Sequence, residues 1–223
     1  MPFLNTILDI IFPPKCVSCG REGKDLCVKC LTDAPAAERE SAEWIFPLYD
    51  YRHASIKTAL WFFKYKGKKR LASIFAEVIY DKILEELSDL SRMENFINAI
   101  LMPVPLSSSR YRERGYNQAE LICRELMKIN DLRLGLSFKL ENNILIKPKE
   151  TKHQAQIENR VERLRNIIGS FAVKNELENA KLLKDRNIIL IEDITTTGAT
   201  LHEAKKVLER AGARKVIAFT VAH

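Results

Sequence analysis

The sequence has no apolar run near the roughly 20 residues that a membrane-spanning helix needs, so a helical span is not expected. Its opening, MPFLNTILDIIFPPK, lacks the basic stretch of a secretory leader, and Asn5 and Asp9 interrupt the apolar part. Two common phosphate signatures are missing as well. There is no GxxxxGK(S/T) loop for a nucleoside triphosphate and no GxGxxG dinucleotide fingerprint. Cysteine is scarce, five in 223 residues. The expected compartment is the reducing cytoplasm, where cysteines serve better as metal ligands than as disulfide partners. What remains is an ordinary globular mix, 46% hydrophobic and 29% charged. The net charge of +7 suits anionic partners, phosphorylated metabolites or nucleic acid, without choosing between them.

One stretch organises the chain: Ile188 to Leu201, IILIEDITTTGATL. Four aliphatic residues read as a buried parallel strand. The acidic pair Glu192 and Asp193 follows, then a hydroxyl-rich loop of Thr195, Thr196, Thr197, Gly198, Ala199 and Thr200. Leu201, Ala204, Val207, Leu208 and Ala211 then recur at helical spacing. Ligands of open α/β sheets bind at the carboxyl ends of strands. Hydroxyls and free backbone N–H groups ahead of a helix favour an anion. The acidic pair is expected to face hydroxyls or a metal instead. A phosphate beside a diol describes a ribose 5-phosphate.

Cys16, Cys19, Cys27 and Cys30 are spaced C-x2-C-x7-C-x2-C, which suits a closed, structural zinc site of four thiolates. Residues 3–12 read as a short amphipathic helix, and residues 31–43 as a linker. The expected division is therefore 1–43 for the helix, zinc module and linker, and 44–223 for an α/β domain. Strands are expected at Trp44 to Tyr51, Ala99 to Met102, Ser137 to Leu140, Ile144 to Lys147, Phe171 to Val173 and Lys215 to Val221. Helices are expected from His53 to about Tyr65, Leu71 to Leu90 and Asn117 to Ile129. Cys123, inside the last of these, reads as a buried small side chain.

Three segments leave two readings each. Lys64, Tyr65, Lys66, Lys68, Lys69 and Arg70 stand beside Trp61 and Phe62. That is either a core-facing aromatic stripe with a solvated basic end or a surface for single-stranded nucleic acid. The loop after Pro105 holds Arg110, Arg112 and Arg114, either solvated or grouped for bidentate contact with a pyrophosphate. The polar stretch Lys147 to Arg165 is either an exposed insertion or a lid over the site.

The central stretch resembles the phosphoribosyl-pyrophosphate (PRPP) motif of type I phosphoribosyltransferases. The order of features narrows this. A four-cysteine module, KYKG, PVPL, RERGYNQAEL, K-x-T-x-x-Q, IEDITTTGAT and AGARKV together resemble the ComF family of competence-associated, phosphoribosyltransferase-like proteins. The resemblance implies the type I phosphoribosyltransferase fold, a parallel central sheet flanked by helices, beside the zinc module. It implies that Glu192 and Asp193 hold the ribose hydroxyls and that the Thr195 to Thr200 loop holds the 5′-phosphate. Arg110, Arg112, Arg114, Thr151 and Gln154 would meet pyrophosphate, with Lys149 as a further catalytic group and magnesium accompanying PRPP. Lys149 stands where the family usually has arginine, and lysine cannot make the bidentate contact. A related ribosyl domain occurs in glutamine-dependent amidophosphoribosyltransferase, but Pro2 stands where that enzyme needs a cysteine nucleophile. The family implies a role in natural transformation and uptake of single-stranded DNA, with partners in the competence machinery at the inner membrane. Two functions from different classes follow: a PRPP-dependent transferase, or a non-catalytic DNA-binding protein that uses the fold to sense PRPP.

Overall fold

The structure, a computed structural model, describes residues 13–38, 42–94, 96–133, 137–149 and 167–223. The expected helix over residues 3–12 and most of the polar insertion lie outside these. In chain order the elements are α1 Val28–Thr32, β1 Ile45–Tyr49, α2 Ala54–Tyr65, α3 Leu71–Glu94, β2 Ile100–Pro103, α4 Ser108–Arg114 and α5 Gln118–Arg133. Then come β3 Lys139–Leu140, β4 Leu145–Ile146, β5 Ala172–Val173, α6 Glu176–Leu183, β6 Asn187–Ile194, α7 Ala199–Arg210 and β7 Lys215–Ala222.

Five strands form one sheet in the order β1-β7-β6-β2-β3, every neighbour parallel. β6 is the middle strand, and its aliphatic run explains why. A central parallel strand has helices on both faces, so consecutive residues must all be apolar. Ile189 and Ile191 join the cluster that contains Ile122 and Leu126 of α5 and Phe75 of α3. Ile188 and Leu190 join the cluster that contains Leu201, Ala204 and Leu208 of α7. All four strand residues are fully buried.

The chain leaves β2 for α5 on one face and β3 at one edge. It leaves β6 for α7 on the other face and β7 in the opposite direction. Between β2 and β6 the order therefore reverses, and the loops after these two strands part. That is the switch point where open α/β sheets form a crevice at their carboxyl edge. Both the acidic pair and the arginine segment leave the sheet there.

The structure changes three expectations. β4 and β5, expected only as strands of the α/β domain, pair antiparallel in a two-stranded sheet separate from the five-stranded one. The segment expected as a linker is partly tied down. Residues 28–32 are helical, and Ala36 forms an antiparallel bridge with Tyr49 while Ala37 N–H donates to Leu48 O at 3.0 Å. Pro47 in β1 is compatible with this because it lies on an edge strand of the five-stranded sheet, where a missing donor is tolerated. Finally, α6 had no strong periodic signal; its exposed Leu177 breaks an apolar face.

Because both faces of β6 are covered, Ile189→Ala and Leu190→Ala are each expected to cost about 2–5 kcal/mol. Urea denaturation of the two variants checks this; a one-sided strand would show the loss for only one of them.

Candidate functional site

Asp193 and Glu192 occupy the carboxyl end of β6, beside the loop that leads into α7. Thr195 N–H is bonded to Ala222 O of the neighbouring strand at 3.0 Å, which fixes where the loop starts. His223 Nε2 lies 2.7 Å from Thr196 O and holds the next residue. Thr197 Oγ1 accepts from Ala199 N–H at 3.4 Å. Gly198 has φ +70, a left-handed conformation that turns the chain into the helix. A side chain there would press on His202 and Ile45, each 3.3 Å from the added Cβ.

This loop, the acidic pair, Trp61, Lys64, Tyr65, Arg110 and Arg114 enclose a cleft of about 250 Å³. A smaller recess continues from it past Arg110, Asn117, Gln118 and Lys147, sharing Glu192 and Asp193. The predicted ribose and phosphate residues are thus brought together, with Thr195 buried and Thr196 exposed.

The electrostatics of the pair are unusual. Asp193 is buried, and its Oδ1 is held by Lys64 Nζ at 3.1 Å, with both side chains largely out of solvent. Glu192 retains some exposed surface, yet its Oε2 is buried, as is Asp193 Oδ2. Neither oxygen has a hydrogen-bond partner among the described residues. Burial and then the charge of Asp193 push the Glu192 carboxyl up to about 8, against the opposing charges of Lys64, Lys147 and Arg110. Asp193, and Glu192 once a ligand or cation displaces its proton, each offer an open oxygen to hydroxyls or a divalent cation.

The arginine segment is helical, not a loop. Its arginines recur at two-residue steps, so Arg110 and Arg114 share a face while Arg112 points elsewhere. Arg110 and Arg114 line the cleft, and Arg112 is exposed outside its lining. Burial, then the charge of Arg114, lowers the pKa of Arg110. Asn117 caps α5: its Oδ1 accepts from Ala119 N–H at 3.0 Å, and its Nδ2 donates to Val104 O at 3.0 Å. That contact ties the end of β2 to the recess.

The other predicted residues are placed as follows. Lys149 is exposed, donates to Ile168 O at 3.4 Å and lies outside the cleft lining. Thr151 and Gln154 fall outside the described residues. The basic run divides. Lys64 belongs to the cleft. Lys68 Nζ pairs with buried Asp25 of the cysteine module at 2.9 Å. Lys66 sits over the Trp61 ring at 5.0 Å and Lys69 over Tyr116 at 4.8 Å. The aromatic stripe divides too, with Phe63 in the core and Trp61 and Tyr65 exposed. Sequence reasoning missed Lys147, nearly buried beside Glu192; its one signal was its place at the end of a strand-like run.

The four cysteine sulfurs lie within 4.8 Å of one another. Tetrahedral zinc with Zn–S bonds of about 2.3 Å needs sulfurs about 3.8 Å apart, and Cys19 Sγ and Cys27 Sγ are 3.6 Å apart. The cluster could hold a zinc ion. Gly20, at φ +75, closes the first knuckle by donating its N–H to Cys16 O at 2.9 Å. Burial would raise the Cys16 thiol, but N–H groups of Cys19, Cys27 and Ser18 outweigh it and hold the group at about 6.

Two outcomes are expected. Protein purified without added metal should carry one zinc per chain by elemental analysis. Chelation should lower the melting temperature of the whole chain, because Cys16, Leu26 and Cys27 belong to the main core cluster. Second, native Glu192 keeps a proton that the unfolded carboxyl, at its ordinary 4.5, has lost. The stability of the ligand-free protein should therefore fall as pH rises from about 4.5 through about 8. Thermal melts of Glu192→Gln should lack that component of the slope.

Comparison with known proteins agrees with this architecture. The phosphoribosyl transferase domain family matches residues 142–223. Competence protein F of Haemophilus influenzae is 26% identical over 211 residues, covering 91% of this chain and 82% of that protein. Competence protein ComFC of Bacillus subtilis is 32% identical over 167 residues, covering 74% of this chain and 59% of that protein. DNA utilization protein YhgH of Escherichia coli K12 is 24% identical over 192 residues, 85% of this chain and 74% of that protein. The parallel sheet, the acidic pair at the switch point, the four-cysteine module and these likenesses together support a ComF-family, phosphoribosyltransferase-like protein.

Proposed function

We propose that the chain binds PRPP together with magnesium at the carboxyl edge of β6 and acts in the handling of incoming DNA. The observation that carries the first half is the pair of open, buried oxygens, Glu192 Oε2 and Asp193 Oδ2, on adjacent residues. A vicinal diol offers two donors at neighbouring positions and matches them. The loop from Thr195 to Thr200 offers hydroxyls, Gly198 and the amino end of α7 to a 5′-phosphate. Arg110 and Arg114, which line the same cleft, suit a diphosphate.

In phosphoribosyl transfer a nucleophile forms a bond to C1 as the bond from C1 to the diphosphate oxygen breaks. The residues would hold the ribose and stabilise the departing charge. Magnesium, when bound with PRPP, supplies neutralisation of the diphosphate. The open carboxylate oxygens are chemically suited to share it. Thr151 and Gln154 enter this reading through the family resemblance, and Lys149 as a charge at the margin.

The second half rests on the relatives named competence proteins and DNA utilization proteins. A second reading, single-stranded DNA binding without transfer, is favoured by Trp61 and Tyr65, both about half exposed, with Lys66 over Trp61. In that reading PRPP is a signal rather than a substrate.

Isothermal titration with PRPP and magnesium tests the proposal. Hydrogen bonds to a charged group contribute about 1.5–3 kcal/mol each. Asp193→Ala should therefore weaken binding by about tenfold to a few hundredfold. Since the substitution also strips Lys64 of its partner, the folded state of the variant is verified by circular dichroism. Unchanged affinity in a folded variant would remove the ribose assignment.

A further inference from the structure

The cysteine module and the cleft share one helix, α2, whose 12 residues span about 18 Å. Ser55, in its first turn, donates its hydroxyl to Cys30 O at 2.9 Å. Just past its last turn, Lys68 Nζ pairs with the buried carboxylate of Asp25 at 2.9 Å. Asp25 is fixed in turn by the cysteine knuckles. Its backbone O accepts from Val17 N–H at 2.8 Å, and nearby Cys27 N–H donates to Cys16 Sγ at 3.4 Å. The last turn of α2 carries Lys64, which holds Asp193 Oδ1 at 3.1 Å. Leu60, Trp61 and Tyr65 of the same helix line the cleft. Leu60 also belongs to the buried cluster that contains Cys16, Leu26 and Cys27. The helix is thus strutted to the module at both ends while it forms part of the cleft.

We propose that α2 couples the two sites, so that zinc in the cysteine module raises the affinity of the cleft for its ligand, and a ligand in the cleft tightens the module's hold on zinc. The inference rests on the ribose-phosphate reading above and adds a control to that site. Zinc-binding modules of this size fold around their ion. Without it nothing ties the two knuckles together, and Cys30 and Asp25 no longer give α2 a fixed anchor at either end. Lys64 then loses its fixed position beside Asp193. Loss of zinc would thereby weaken the cleft without any change in the cleft's own residues. The reverse direction follows from linkage, because two sites that share one coupling free energy affect each other equally. A contiguous set of contacts joins the sites, each end of it anchored by a buried or largely buried group.

Competition with a chromophoric chelator measures the zinc affinity of the full chain with and without saturating PRPP and magnesium. PRPP should tighten zinc binding about 5-fold or more, and removal of zinc should weaken PRPP by the same factor in isothermal titration. Asp25→Asn combined with Lys68→Met removes the strut nearest the cleft without leaving a buried charge unpaired. In that variant the effect of PRPP on zinc should vanish. If it cannot be purified with zinc, Ser55→Ala, which removes the other strut, should lower the effect in its place. A module that only stabilises the fold would lose stability in these variants while the effect of PRPP on zinc stayed unchanged, and that result overturns the coupling. Equal zinc affinity with and without PRPP also overturns it, while PRPP binding itself leaves the ribose reading intact. If PRPP does not bind at all, the ribose reading falls and the ligand-free protein decides. Asp193→Asn, which releases Lys64, should then weaken zinc binding about 5-fold or more, and unchanged zinc affinity overturns the coupling.

Discussion

The structure turns on holding two adjacent carboxylates at the end of a buried strand. Taking a charged group out of water costs several kcal/mol unless other charges offset it. Lys64 from α2 approaches Asp193, while Arg110 from α4 and Lys147 from the end of β4 face Glu192. The offset is incomplete, since Glu192 is still pushed toward its protonated form. A site in this condition gains from a ligand that brings hydroxyl donors or a cation. The elements around the pair are also tied to one another. Asn117 ties α5 to the end of β2, and Ala222 and His223 hold the loop after β6.

The cysteine module is not an appendage to this arrangement. Ser55 Oγ, at the start of α2, donates to Cys30 O at 2.9 Å. Just past the end of α2, Lys68 pairs with the buried carboxylate of Asp25. The helix that supplies Lys64 to the cleft is therefore bonded to the module near both its ends. Breaking the Lys68 pair would leave Asp25 buried without its cation, the costly direction for such a contact. A lysine that looks like part of a nucleic-acid surface in the sequence is thus a structural strut, and its replacement would report on the module first.

Strong local signals were legible. Four consecutive aliphatic residues ahead of a turn-rich loop read as a strand covered on both faces, and Ile188 to Ile191 are that strand. Paired cysteines specified their own geometry, and the order acidic pair, threonines, glycine, helix placed a loop at the sheet's carboxyl edge. The rest required partners distant in sequence. Nothing near Lys64 distinguishes it from Lys66 or Lys68; only the ion pair with Asp193, distant in sequence, marks it as the cleft cation. The Arg110 to Arg114 segment has too few residues for a helical period to emerge from its apolar pattern, so its rotation, and with it the exclusion of Arg112, was hidden. Lys147 was hidden for a similar reason, because its burial depends on β4 folding against β5 in a separate small sheet.

The mix of charge also bears on which ligand fits. Hydroxyl-bearing residues and the amino end of α7, the two acidic residues, and Arg110 with Arg114 all line one cleft. A plain polyanion would gain from the cations and the helix end but not from the acidic pair. A molecule that carries both anionic groups and hydroxyls has a partner for each kind of lining group. On the proposed reading the acidic pair would select as well as bind, because inorganic phosphate or pyrophosphate alone brings none of the donors that the open Glu192 and Asp193 oxygens can take. The surplus of +7 over the chain favours anions in general, and the buried pair would then favour those that also carry hydroxyls or a cation.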